Sequence, residues 1–423
     1  MNKSLLAVVV YALSVQAQIF YVVNGLDESL GWANLQTQQS NAHAATLGNV
    51  PNDVFVVEEA LYVVNSGFNS IQMIERAQLG TFFDVEVSGA VNPWAVVELS
   101  RCCKLAVTGY GSGTLSIIDI NSQTVDTTFV TGVAPQAVAA TWEAIYVLNT
   151  GVSFPEFGDG LLKLYDPTTY ALLDSVVVGV NPQAMEFIGD EIHVLCTGNY
   201  DDESGAAYIV TADSLEVDTI LEIGGSPGAI SANGHDVFLA AGGWAGEGNV
   251  YRYDALTRQI INSPDNPLIC GEGATDIIAM PGGQFAVTCF SAASLEIREA
   301  NGVLVNRFDM SAGAGALGVW WGTSDADEVL PEITQDMNIL SAYPNPFNGD
   351  VMLEWTGQLR TPNAIKIFDV LGRTVGELSV GEGVTRVGWA PGARGGQEVA
   401  AGVYFARFVN GPAGRPIRII YVK

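Results

Sequence analysis

Few residues of this 423-residue chain have the types and spacing to do chemistry, and the most suggestive follow a recurring phrase. Asn52, Trp94, Gln136, Gln183 and Asp276 each stand one position past a proline, or its equivalent, that opens an apolar run. Amides, an acid and an indole so placed can hydrogen-bond and stack a ligand. With Asn24, Asn65 and Asn149, which end other apolar runs, they are the candidate ligand-binding residues. The structural alternative for these asparagines is that the residue tolerates turn backbone. A second set, Asp201, Asp202 and Glu203, offers oxygens to a hard cation, so Ca2+ is the one cofactor in view. No D-x-[DN]-x-[DN]-G loop accompanies it. Catalytic signatures are missing: there is no H-E-x-x-H or P-loop. The three histidines, His43, His193 and His235, read as packing or solvent-facing residues. Asp276 with Asn52 and Gln183 is the one set that a hydrolase reading can use. Five cysteines leave at least one unpaired within the chain. Cys102 and Cys103 are adjacent, Cys196 and Cys289 fall at equivalent positions, and a Cys270–Cys289 bridge within one repeat fits the spacing, which alone decides nothing.

The elements that must position these residues are repeats. The phrase V-N-P-W-A-V at 91–96 returns as N-V-P-N-D-V at 49–54, V-A-P-Q-A-V at 133–138, V-N-P-Q-A-M at 180–185 and G-S-P-G-A-I at 225–230. Two further copies, at 273–278 and 313–318, lack the proline. Positions 51, 93, 135, 182, 227, 275 and 315 are taken as equivalent, with steps of 40 to 48 residues, a period that means a propeller or solenoid. Proline lacks a donor and suits the first residue of a strand. The residue before it is expected to be extended. Two positions on stands alanine in four copies, at Ala95, Ala137, Ala184 and Ala229, as crowding around an axis requires. Three more apolar segments follow each phrase, and four short strands per repeat make a propeller blade. After the last phrase one strand remains, whereas the N-terminus opens on a second-strand signature, Y-V-V-N at 21–24. Pairing the two ends gives seven blades and leaves no open edge.

Residues 1–17 have the layout of a cleavable export signal: Lys3, an apolar run and V-Q-A. No later apolar run is long enough to span a bilayer. The formal charge of -28 rests on the repeats, because residues 331–423 hold nine Lys and Arg against eight Asp and Glu. Such a field repels phosphate backbones and disfavours nucleic acid as a partner.

The tetrads Y-V-V-N at 21–24 and 62–65 and Y-V-L-N at 146–149, each followed closely by glycine, resemble the YVTN-repeat family of exported and surface-layer β-propellers, over residues 18–322. The other repeats have lost the tyrosine and asparagine. Beyond an acidic linker at 323–336, A-Y-P-N-P-F-N at 342–348, I-K-I-F-D-V-L-G-R at 365–373 and A-A-G-V-Y-F-A-R at 400–407 resemble the type A C-terminal sorting domain of the type IX secretion system. Residues 337–423 read as a small antiparallel, immunoglobulin-like β-sandwich. The expectation is therefore an all-β chain: a seven-bladed β-propeller with N/C-terminal strand closure, then a sorting sandwich. The resemblance implies handling by the type IX machinery and a secreted or outer-surface location. The propeller would bind an extracellular protein or glycan; the alternative is a metal-dependent, lactonase-like propeller hydrolase.

Overall fold

The structure is a computed structural model that describes residues 17–99, 103–243, 246–322, 340–345, 347–355, 363–369, 374–381, 383–391, 399–408 and 417–422. Residues 1–16 of the export signal read at 1–17, Cys102, Trp244 and the linker at 323–336 lie outside them. Every regular element among the described residues is a β-strand.

Residues 17–322 form seven antiparallel sheets, apart from one two-residue hairpin at 152–157. The first holds Ala314–Gly322, Ala17–Asn24, Ser29–Asn34 and Gln39–Thr46 in that spatial order, so both ends of this stretch share one sheet. The second runs from Pro51–Val56 to Thr81–Glu86, the third from Pro93–Leu99 to Thr124–Val130, and the fourth from Pro135–Ala140 to Leu172–Val178. The fifth runs from Pro182–Ile188 to Glu216–Glu222 and the seventh from Ala274–Met280 to Leu304–Asp309. In the sixth, beginning at Ala229–Asn233, the outer strand is split into Ile260–Asn262 and Leu268–Ile269. The strands that open the sheets touch one another in a closed cycle, from Pro51–Val56 round to Ala314–Gly322 and back. This is a propeller-like arrangement with those strands innermost.

Each apolar layer lies between two consecutive sheets. Leu61 and Val63 pack toward the first sheet, whereas Tyr62 and Val64, one position on, pack toward the third. Second strands are buried along their whole length because both faces are covered, which is why they read as unbroken apolar runs. The layer between the seventh sheet and the first includes Phe20, Val22, Ala286 and Leu317 and closes the cycle.

In four of the five repeats that have the proline, the turn into the inner strand departs from the extended geometry expected before it. Val50, Asn92, Ala134 and Asn181 have φ of 50°, 52°, 51° and 55°, in the left-handed region. Gly273 and Gly313 occupy the same place in the two repeats without proline. The cause is hydrogen bonding. Ser66 and Gly67, just past the Y-V-V-N tetrad, donate their N–H groups to the carbonyls of Val50 and Asn49 at 3.0 and 2.9 Å. Tyr110 and Gly111 do the same to Asn92 and Val91, Thr150 and Gly151 to Ala134 and Val133, and Thr197 and Gly198 to Asn181 and Val180. Two bonds per turn outweigh a left-handed penalty of about 1–2 kcal/mol.

Toward the C-terminus, Leu340–Tyr343, Val351–Trp355 and Arg386–Trp389 form a three-stranded sheet, and Thr374–Val380, Asn363–Asp369, Gly402–Phe408 and Ile417–Tyr421 a four-stranded one. The two share a core that includes Phe347, Leu353, Trp355, Ile367, Trp389 and Ile419.

Val50 is β-branched, left-handed and 49% exposed, so its side chain gains little from its place. Val50→Asn is expected to stabilise the chain by about 1 kcal/mol, asparagine tolerating this backbone far better. The readout is the urea midpoint; an unchanged or lower one refutes strain at this turn.

Candidate functional site

Register explains where the candidate residues stand. In four sheets the pairing of the inner strand with its second strand skips a position just past the proline or its counterpart: Asn52, Gln136, Gln183 and, in the seventh sheet, Thr275. In the third sheet Trp94 and Ala95 are skipped together. A bulge re-aims its side chain out of the ladder, and proline, having no N–H to pair, favours one there. The backbone N–H groups of Ala95 and Asp276 are taken by the hydroxyls of Thr108 and Thr288 on the second strands, at 3.0 and 3.1 Å.

The register also corrects the alignment of Asp276. Ala274 pairs with Cys289 as Pro51 pairs with Asn65, so Ala274 rather than Thr275 matches the prolines. Asp276 is therefore the counterpart of Asp53, which sequence reasoning passed over, and not of Asn52. Both aspartates occupy the position that is alanine in Ala137 and Ala184. An acid in a place otherwise kept for a small residue was the signal that would have found Asp53.

Each aspartate bridges two strands. Asp53 accepts the N–H of Val54 at 2.8 Å and that of Val96, on the next inner strand, at 3.0 Å. Asp276 accepts from Ile277 and from Leu317 on the following inner strand, both at 2.8 Å. Ser231 takes the N–H of Ala279 at 3.1 Å, and Glu186 takes that of Ala232. Four junctions of the inner ring thus carry a side-chain acceptor for an otherwise unpaired N–H. Both aspartates keep some accessible surface although each is held between two inner strands. Burial pushes Asp53 up to about 6 and Asp276 up to about 7, the N–H donors opposing it; the charge of Asp53 adds to the rise at Asp276. Burial likewise pushes Glu186 up to about 7.

Asp276 makes no hydrogen bond to Asn52 or Gln183. Asn52 donates to the Ser66 hydroxyl at 2.5 Å, and Gln183 donates to Tyr200 Oη at 3.1 Å. Gln136 is half-buried at its bulge. The ring of Trp94 lies 5.4 Å from that of Tyr110, whose hydroxyl bonds Thr150. Tyr200 meets Phe157 edge-on at 6.3 Å. Asn181, beside Gln183, donates to the Gly198 carbonyl at 3.3 Å. Tyr110 bonded to Thr150, and Phe157 against Tyr200, join the third, fourth and fifth sheets into one neighbourhood of rings and amides. It lies where second strands end and inner strands begin.

The three tetrad asparagines are interior. Asn24 donates to Ser29 and to the Ala42 carbonyl, and Asn65 accepts the N–H of Gly48 and donates to Gln72. Asn149 is 1% exposed, and among the described residues its amide has no hydrogen-bond partner. Asp201, Asp202 and Glu203 stand exposed on a loop shaped by Asn199, which accepts the N–H groups of Asp201 and Glu203 and donates to Asp202. Among the described residues, the metal-type side chains that do converge are elsewhere: Cys270, Cys289 and Glu296. Cys270 follows the split outer strand of the sixth sheet, and Cys289 ends a strand of the seventh, so a bridge between them would join two sheets rather than lie within one. His193 is wholly buried, bonded to Tyr253 Oη at 2.7 Å and to Glu191, as a packing histidine would be.

Residues 341–420 match the family described as the secretion system C-terminal sorting domain. This domain indicates export, with attachment to the cell surface or secretion, and handling by the type IX machinery. No curated protein matches the chain in sequence. A putative 6-phosphogluconolactonase from Bacteroides fragilis is similar in structure at TM-score 0.59 and 11% identity, over 73% of this chain and 99% of that one. A functionally unknown protein from Desulfotomaculum acetoxidans matches at 0.56 and 13%, over 72% and 99%. Kuenenia stuttgartiensis hydrazine synthase matches at 0.56 and 12%, over 66% and 91%. At such identities the likeness shows the fold alone, a propeller module. Among the described residues no helix is long and apolar enough to cross a membrane.

The raised carboxyls make stability depend on pH. Their folded values lie above the unfolded carboxylate range, so the folded state holds more protons, and stability falls as pH rises from about 4 through 7. Asp53→Asn with Asp276→Asn keeps an acceptor at each junction and removes the charge. The double variant is expected to lose less melting temperature than the parent between pH 5 and pH 8. Parallel profiles for the two proteins refute the assignment.

Proposed function

We propose that residues 18–322 form a closed seven-bladed propeller and residues 337–423 an immunoglobulin-like sorting sandwich, joined through 323–336, and that the propeller is a glycan-binding module acting outside the cell. The observation that carries this reading is the cluster of Trp94, Tyr110, Phe157 and Tyr200 with the amides of Gln183 and Asn181. Aromatic faces stack on the apolar faces of sugar rings, and amides and hydroxyls satisfy sugar hydroxyls without the desolvation cost of a charge. Asn52 and Gln136 extend the same polar lining. The carboxylates of the inner strands are engaged by backbone N–H groups.

The second reading is hydrolysis, and it rests on Asp53 and Asp276. Two electrostatically linked carboxyls poised near neutrality are what acid–base catalysis on a small extracellular substrate would use. Ca2+ at Asp201, Asp202 and Glu203 belongs to this reading.

A glycan array probed with the purified chain separates the two. Binding is expected, with Trp94→Ala and Tyr200→Ala each weakening it about tenfold, roughly 1.4 kcal/mol. Trp142→Ala, at another exposed ring, should leave it unchanged. No binding to any glycan, combined with turnover of a lactone or glycoside that Asp53→Asn and Asp276→Asn abolish, establishes the hydrolase instead. Separately, deleting residues 337–423 is expected to leave the protein inside the producing cell envelope, seen by immunoblot of medium and cell surface. Undiminished export of the truncated chain contradicts the role of the tail.

A further inference from the structure

Cys270 and Cys289 meet where two sheets pack. Both are buried in the apolar layer between the sixth and seventh sheets, with Phe238, Ala274 and Phe285. Their sulfurs lie within 4.8 Å of one another and of a Glu296 oxygen, and the Cys270 thiol is hydrogen-bonded to Cys289. Cys270 Sγ also lies 3.3 Å from the Gly248 carbonyl.

Two occupants fit such a cluster, a metal ion or a covalent bond. Glu296 argues against the metal. Its Oε2 already accepts the Gly271 N–H at 3.2 Å and two bonds from Arg298, at 2.7 and 2.6 Å, and Arg307 stands 3.5 Å from Oε1. A carboxylate so engaged between two guanidiniums is a poor ligand. Two sulfurs alone fall short of the four ligands a structural zinc takes. The compartment argues for the bond: an exported chain passes through surroundings that oxidise thiols.

We propose that in the exported protein Cys270 and Cys289 are joined by a disulfide that ties the outer strand of the sixth sheet to the second strand of the seventh. Two S–H bonds break and one S–S bond forms. The two protons and two electrons pass to the disulfide of a thiol oxidoreductase, which leaves as a dithiol. In the finished fold the hydrogen bond to Cys289 and burial hold the Cys270 thiol well above the usual thiol range, so little reactive thiolate forms. The bond therefore forms before this layer closes. Cys103 and Cys196 stay outside the pair: Cys196 is buried beside Gly179 and Tyr208, in the layer between the fourth and fifth sheets.

The test uses full-length protein collected outside its producing cells, denatured and alkylated with and without prior reduction, then mapped by peptide mass. Without reduction, Cys270 and Cys289 are expected to be unlabelled and their peptides joined, about 2 Da lighter than the sum of the two. After reduction both label, and the melting temperature of reduced native protein falls by several degrees. Full labelling without reduction overturns the proposal. So does equimolar zinc released together with two reactive thiols, or a bridge from either residue to Cys102 or Cys103.

Discussion

The propeller module depends on a turn in which two successive carbonyls accept the two N–H groups that follow a neighbouring strand. Val50 with Asn49 and Ser66 with Gly67 show it most plainly, and the next three repeats reproduce it. Without those bonds a valine in the left-handed region would be unfavourable, and the inner strand would enter at another angle. Because the turn is fixed, the proline that follows lies at a fixed depth. The bulge beyond it then aims Asn52, Gln136 or Gln183 out of the ladder. The tetrad and the lining of the mouth are thus two ends of one hydrogen-bonded device.

The inner ring raises a different problem, since an innermost strand has one edge with no neighbour in its own sheet. Asp53, Glu186, Ser231 and Asp276 solve it by reaching sideways to the next strand. For the acids the solution is compromised, because charge is held where water is scarce. A propeller needing only mechanical closure would do better with serine, as at Ser231. Two aspartates at places otherwise given to alanine are therefore costly features, and any catalytic reading of this chain has to start from them.

Architecture was legible in the sequence because it is written in repetition: proline spacing, tetrads, and a second-strand signature at the N-terminus with no first strand before it. The pairing of Ala17–Asn24 with Ala314–Gly322 follows from that mismatch. The local backbone was not legible. Proline sterics favour an extended predecessor, and bonds to residues some 16 positions away overrode them at Val50 and Ala134. The site was half legible: the bulge positions stood out, but an alignment one residue off in the seventh repeat separated Asp276 from Asp53. Spacing paired Cys270 with Cys289 but placed them within one repeat, whereas they meet across a sheet boundary, which no local pattern marks.

Closure of the first sheet sets an order of events. Trp321 pairs with Gln18, so the ring cannot shut until the last strand of residues 17–322 has been synthesised. Contacts so distant along the chain form late, after their loop-closure entropy has been met. Until then the edge of Ala17–Asn24 is a sticky strand without a partner. The sorting segment begins at residue 341, just downstream of the strand that supplies that partner. A chain cut short before residue 341 lacks the sorting segment, and every chain that carries this segment also carries the closing strand.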